Sequence, residues 1–144
     1  MIARPIPDPV QIREHRSHLD ISRNIANDTA NSVGSALAGA SWLGVTASRV
    51  RSNISDTVGQ LRSVVSEIDG VVLQLNRHAN WCEDQRTELY GLEKRIRRWA
   101  TSNPAGSTAT TGHPDASILG ALPVRYSPDW RLVATRLRRA GALF

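Results

Sequence analysis

The feature that most constrains the fold is an apolar residue that recurs every seven positions from Ala47 to Ile96. With Ala47 at position a of a heptad, the a series reads Ala47, Ile54, Leu61, Ile68, Leu75, Cys82, Leu89 and Ile96. The d series reads Val50, Thr57, Val64, Val71, His78, Gln85, Leu92 and Trp99. Eight heptads keep this register without a proline, which predicts one long helix over about 46–100 with a coiled-coil-like seam.

A second apolar row runs beside this seam, formed by Val58, Val65, Val72 and Ala79. A helix that is apolar on two adjacent rows packs against two neighbours, which favours a four-helix arrangement made by two chains. We therefore predict a docking face that meets both helix 1 and a second helical hairpin. Its residues are Ile54, Val58, Leu61, Val65, Ile68, Val72 and Leu75.

Helix 1 is expected over about 9–40, with Asp8 as its N-cap and Pro9 at the first helical position. Its predicted seam has a period of seven and is rich in small residues: Ile12, Leu19, Ala26, Val33 and Ala40. A second set of positions completes this seam: His15, Ser22, Thr29 and Ala36. Ile25 and Leu37 widen it. A turn at 41–45 joins the two helices, so we predict an all-α, antiparallel two-helix hairpin over residues 1–100, as half of a four-helix bundle.

Helix 2 is too long for helix 1 to cover. At 1.5 Å per residue, helix 1 spans ~48 Å and helix 2 roughly 83 Å. The last twenty or so residues of helix 2 nevertheless stay apolar at Leu89, Leu92, Ile96 and Trp99. A further segment must therefore cover this overhang.

The rest of the chain is expected to be a linker rich in Ser, Thr, Gly and Pro at 101–126, followed by a basic amphipathic helix at 127–144. One face of that helix carries Trp130, Val133 and Leu137, and the arginines on or near the other are Arg131, Arg136, Arg138 and Arg139. Two alternatives are open. The helix folds back on the overhang with its arginines facing Glu83, Asp84, Glu88 and Glu93, or it docks on a membrane or a secretion component.

Two short motifs mark the ends of helix 1: Asp8-Pro9-Val10-Gln11-Ile12-Arg13 at its start and Trp42-Leu43-Gly44 after it. Glycine permits the positive φ of a tight turn, and the indole can cover the open end of a helix pair. With these motifs, residues 8–100 resemble the Trp-x-Gly (WxG) helical-hairpin family of type VII secretion, in its actinobacterial form.

The resemblance implies a left-handed four-helix bundle of two hairpins, and hence a homo- or heterodimer with another helical hairpin protein. It also implies a non-catalytic secretion substrate, targeting module or partner that acts by helix docking. Such a protein is cytoplasmic before export and reaches the outside or the cell surface by the type VII route. The family's Tyr-x-x-x-Asp/Glu signal is not matched, since Lys94 follows Tyr90 and Trp130 follows Tyr126 at that spacing.

Other functional classes find little support in the sequence. No apolar segment follows the N-terminal charge as in a Sec signal, and no apolar run reaches the ~20 residues of a membrane span. The single cysteine, Cys82, excludes an intrachain disulfide, and its spacing from His78 supplies only two metal ligands. No nucleophile–base spacing or glycine-rich phosphate loop is present, so we expect no enzyme activity, cofactor or metal.

Two other functions remain as alternatives. One is a cytoplasmic coiled-coil adaptor or structural protein in which the tryptophan turn is incidental. The other is a nucleic-acid binder that uses the basic cluster Lys94-Arg95-Ile96-Arg97-Arg98-Trp99, within a chain of net charge +5. Cations also stabilise a helix C-terminus, and this accounts for the cluster without a ligand.

Overall fold

The computed structural model describes residues 2–39, 44–107 and 112–144, and the chain is all-α. The helices are α1 (Pro9–Gly39), α2 (Val45–Ser102) and α3 (Asp129–Arg139), with a short 3-10 helix at Ala116–Leu119. Within these three ranges no residue lies in a β-strand. The long helix expected from the heptads is thus present as α2, and α1 packs against it.

The helix ends follow from local sequence. Pro9 opens α1, where its missing N–H has no helical partner to lose. Gly44 has a φ of +96° immediately before α2 begins, a conformation that favours glycine. The backbone N–H of Asp129 donates to the Ser127 hydroxyl (3.2 Å) at the start of α3.

The C-terminal end of α3 is a Schellman motif. The N–H of Ala142 donates to the carbonyl of Leu137 (2.9 Å), and the N–H of Gly141 donates to that of Arg138 (3.0 Å). Gly141 has a φ of +91°, as this motif requires. The motif ends the helix and directs Ala142 into the same core as Leu137.

The chain divides into two compact units, and α2 contributes to both. We call Pro9–Ala79 the long-helix unit. The terminal unit consists of the residues up to Asp8 together with Asn80–Phe144. These divisions differ from the expected ones at 100 and 126, because both ends of the chain pack on the last part of α2.

In the long-helix unit, α1 packs on α2 through contacts that run in opposite chain directions. The Arg16 guanidinium donates to the Asn76 side-chain oxygen (3.1 Å), and that of Arg23 donates to the Asp69 carboxylate (3.1 Å). Among the described residues of this unit, the buried apolar ones are few and mostly small: Pro9, Ala30, Val58 and Ala79. The unit therefore has a thin core.

The terminal unit has a compact core of large side chains. Four residues of α2 meet the apolar face of α3, and Leu119 and Ala142 add to the same core. The α2 residues are Leu89, Leu92, Ile96 and Trp99, and the α3 residues are Trp130, Val133, Ala134 and Leu137. The Arg131 guanidinium also pairs with the Glu88 carboxylate (3.2 Å). Of the two alternatives for the tail helix, the structure shows the fold-back onto the overhang.

The segment expected to be a linker is packed into this unit as well. α2 extends to Ser102, and the 3-10 helix places Leu119 in the core. The buried Asp115 carboxylate accepts the backbone N–H groups of Gly106 (2.6 Å) and Ser117 (2.9 Å). These bonds give an irregular segment the polar partners that a helix supplies from its own backbone.

The N-terminal segment completes the terminal unit. The Ala3 N–H donates to the Asp129 carboxylate (3.1 Å), and the Ile6 N–H donates to the Tyr126 carbonyl (3.0 Å). The Asp8 carboxylate pairs with Arg86 at 2.8 Å. The residues that precede α1 therefore belong with the tail.

Candidate docking surfaces

The covered face of α1 keeps part of the first predicted row and replaces the second with the row one residue further along. Ile12, Leu19 and Ala26 are half-buried as expected, whereas Val33 is exposed and Ala40 lies outside the described residues. Ile25, expected to widen the seam, is also exposed. The second predicted set (His15, Ser22, Thr29 and Ala36) is exposed, and the covered positions are Arg16, Arg23, Ala30 and Leu37. The aliphatic stems of the two arginines cover apolar surface while their guanidinium groups reach Asn76 and Asp69, a role that a hydropathy pattern does not reveal.

On α2 the covered rows of the long-helix unit are a and e, whereas the expected seam was a and d. Val58 is buried, and the other members of the predicted docking face are half-buried: Ile54, Leu61, Val65, Ile68, Val72 and Leu75. The d row is less covered, with Val64 44% and Val71 45% exposed. A straight α-helix drifts by ~20° per heptad against a seven-residue repeat, so one neighbour does not cover the same two rows throughout.

The d row forms one wall of a groove along the two long helices. A cavity of about 250 Å³ is lined by Val33 of α1 and, from α2, by Val50, Asn53, Ile54 and Thr57. Further along α2, Val64 and Val71 continue the row of Val50 and Thr57. We call Val50, Thr57, Val64 and Val71 the open row. It is an apolar strip beside a seam that is already occupied.

The predicted turn motif is only partly described. Trp42 lies outside the described residues. Gly44 is exposed and has the positive φ expected of the turn glycine.

In the terminal unit, a buried carboxylate joins α2 to the segment before α3. Glu93 pairs with Arg97 at 3.0 Å and with Arg125 at 3.5 Å. The two arginines also lie over aromatic rings, Arg97 over Trp130 and Arg125 over Tyr90. Paired guanidinium groups are what allow a carboxylate to be buried at this position.

The tail residues singled out from the sequence divide into buried and exposed sets. Trp130, Val133 and Leu137 are buried, and the Trp130 indole N–H donates to the Val124 carbonyl (3.1 Å). Arg131 pairs with Glu88, and Arg138 lies over the Phe144 ring at 5.1 Å. The other two, Arg136 and Arg139, are exposed.

The basic cluster at 94–99 is also divided. Arg97 pairs with Glu93, and Lys94 lies 4.6 Å from the centre of the Tyr90 ring. Ile96 and Trp99 belong to the core. Within the described residues, Arg95 and Arg98 have neither an ion pair nor a hydrogen bond.

Candidate chemistry is sparse in the described residues. Burial raises the pKa of the Cys82 thiol above its ordinary 9.0, against an opposing effect of the nearby Arg86 charge. Across residues 2–39, 44–107 and 112–144, no three or more His, Cys, Asp or Glu side chains form a group that could hold a metal ion. In the same ranges, no helix has the length and apolar character needed to cross a membrane.

Comparison with protein-family models, with curated proteins and with solved structures finds no match to this chain.

Proposed function

We propose that this protein is a non-catalytic docking protein of type VII secretion, which pairs with a second helical hairpin through α1 and α2. The observation that carries the proposal is the open row. An α-helix whose apolar rows exceed what its own chain covers gains free energy when a second pair of helices covers the remainder. In this arrangement α1 and α2 are an antiparallel hairpin and supply half of a four-helix bundle.

The thin core of the long-helix unit supports the same proposal. A pair of helices has much surface for its volume, and in this unit few of the described apolar side chains are buried. A partner that lies along the open row would cover Val64 and Val71, together with the half-buried residues beside them. Docking therefore stabilises the long-helix unit and associates the two proteins in one step.

The docking surface is expected to lie upstream of Asn80. In the terminal unit the apolar stripe of α2 is already covered by α3. The apolar face of α3 is used in the same contact, so it is not open to a membrane. The tail is then a structural element of the proposed docking protein.

Assignment to the type VII pathway rests on the resemblance of Trp42-Leu43-Gly44 and Asp8-Pro9 to the WxG family. A cytoplasmic adaptor would use the same surface without export. Secretion by a host with an intact type VII system, and its loss in a strain that lacks the system, separates the two functions.

Docking itself is tested by sedimentation velocity on the full chain, alone and co-expressed with any small helical protein whose gene adjoins its own. We expect a homodimer or a 1:1 complex. Val71→Asp places an unpaired charge in the interface and should weaken association by about tenfold or more. Leu73→Asp is the matched control, since Leu73 is 51% exposed on α2 but lies outside the open row, and it should leave association unchanged.

Two results would contradict the proposal. One is a chain that stays monomeric both alone and with that partner at high concentration. The other is equal weakening by Val71→Asp and Leu73→Asp, which would place the interface elsewhere.

A further inference from the structure

A groove of about 360 Å³ opens in the terminal unit between the end of α2 and the last residues of the described chain. The residues that line it are Arg95, Arg98, Trp99, Ser102, Asn103, Leu143 and Phe144. None of their side chains is acidic. The groove is separate from the open row, so the inference below does not depend on the proposed docking function.

Positive charge converges on this groove. Arg95 and Arg98 are three residues apart on α2, a spacing that places their Cβ atoms about 5–6 Å apart on the same side of a helix. Both are exposed, and in the described part of the chain neither has an ionic or hydrogen-bonding partner. Arg138 adds a third guanidinium over the Phe144 ring.

Three other arginines of the terminal unit have carboxylate partners. Arg97 and Arg125 pair with Glu93, and Arg131 pairs with Glu88. The two guanidinium groups at the groove therefore lack the counter-charge that these arginines have. An anionic ligand would supply it.

The opposite side of the groove is apolar. Leu143 is 91% exposed beside it, and Phe144 is half-buried. A ligand that fits both sides carries an anionic group next to an apolar group.

We propose that this groove binds the phosphate group of an amphiphilic phosphate ester. Arg95 and Arg98 hold the phosphate oxygens, and the apolar part of the ligand lies on Leu143 and Phe144. A carboxylate is satisfied by one bidentate guanidinium, whereas a phosphate has further oxygens that accept from a second. Trp99 is almost fully buried, so its ring offers no stacking face to a nucleic-acid base.

Two sources share this chemistry, a phospholipid headgroup and a free phosphate ester. Titration with vesicles of phosphatidylcholine, with and without phosphatidylglycerol, tests the first. Calorimetric titration with phenyl phosphate tests the second, with benzoate as its carboxylate counterpart. We expect preference for phosphatidylglycerol vesicles over neutral ones, for phenyl phosphate over benzoate, or both.

The decisive comparison uses two double variants of equal charge change. Arg95→Ala/Arg98→Ala removes the groove pair and should weaken binding by about tenfold or more. Arg136→Ala/Arg139→Ala removes two exposed arginines of α3 that do not line the groove, and should leave binding within about twofold. Circular dichroism should be unchanged in both, because all four side chains are exposed.

Leu143→Glu provides a second variant at a position that contributes nothing to the core. It should weaken binding because it places a negative charge beside the phosphate. Three results would overturn the proposal. One is an equal loss of binding in the two double variants, and another is binding of neither phosphate probe. The third is tighter binding of a single-stranded oligonucleotide that survives Arg95→Ala/Arg98→Ala.

Discussion

The same helix behaves differently in the two units. In the terminal unit, Leu89 and Ile96 of α2 are fully buried. In the long-helix unit, Leu61 and Ile68 occupy the same heptad position and are only half-buried. Sequence position within the repeat therefore does not determine burial, and the neighbours of the helix do.

The difference lies in what covers α2. In the terminal unit, α3, Leu119 and Ala142 all pack on it, and the bulky Trp130 fills the centre. In the long-helix unit the covering face of α1 includes Ala26 and Ala30, whose side chains bury little area. One unit is closed by its own chain, and the other leaves apolar side chains such as Val64 and Val71 exposed.

The largest expected effect is from Trp130→Ala. The indole is fully buried and its N–H donates to the Val124 carbonyl, so we expect a loss of about 3–5 kcal/mol in the free energy of unfolding. Urea unfolding followed by circular dichroism measures it. Leu132→Ala, on the exposed side of α3, is the control and should change stability by less than ~0.5 kcal/mol. Similar losses for both would mean that α3 does not close the core.

A matched pair in α2 tests the comparison directly. Leu89→Ala should lower the free energy of unfolding by about 2–5 kcal/mol, because it opens a cavity in a closed core. Leu61→Ala should lower it by about half as much, since that side chain is only half-buried. The measurement is made at low protein concentration to avoid a contribution from association. A larger effect of Leu61→Ala would reverse the comparison.

A smaller effect is expected from Glu93→Gln. It removes the carboxylate that joins Arg97 and Arg125, but both arginines are more than half exposed and regain water. We expect a loss of about 1–2 kcal/mol in thermal or urea unfolding. Glu88→Gln affects an exposed ion pair and should stay within ~0.5 kcal/mol. Equal effects would show that burial of Glu93 is unimportant.

The smallest effect concerns Cys82 at high pH. Burial raises the pKa of its thiol in the folded state, so the unfolded chain loses this proton first as the pH rises. The stability that this pKa shift contributes is fully present below the ordinary pKa of 9.0. It is lost as the pH rises from there through the pKa of the folded state. The stability of the protein should therefore fall more steeply above pH 9.0 than that of Cys82→Ala. Parallel profiles would contradict this effect.

Sequence reasoning located the helices because their signals are local. The heptad register predicted α2, and Pro9 predicted the start of α1. Ser127 and Gly141 predicted the two ends of α3. The amphipathic stripe of the tail and the uncovered stripe of α2 made their mutual contact one of two alternatives, and the structure shows that contact. Each of these depends on residues close together in the chain or on a strong apolar pattern.

The rows of each long helix that are covered by its neighbour were predicted less well. Arg16 and Arg23 have polar ends, so a hydropathy pattern places them in solvent, although their stems lie on the covered face of α1. The 3-10 helix was also missed, because Asp115 organises that segment through a few specific hydrogen bonds. No periodic signal accompanies such bonds.

The groove beside Phe144 had only a partial signal. The basic cluster at 94–99 includes Arg95 and Arg98. The sequence does not distinguish these two arginines from Arg97, which pairs with Glu93. The groove that they line together with Leu143 joins residues more than forty positions apart in the chain.

By itself, the sequence determined that this chain is helical, where its three α-helices lie, and that one of them is too long for its first neighbour to cover. Periodicity and helix-end residues act within a few turns, so they are readable without a structure. Only the tertiary structure decided which rows of α2 are covered. It also decided that the N-terminal segment and the tail both pack on the last part of α2. Those outcomes depend on which distant segments compete for the same apolar surface, and no local pattern records that competition.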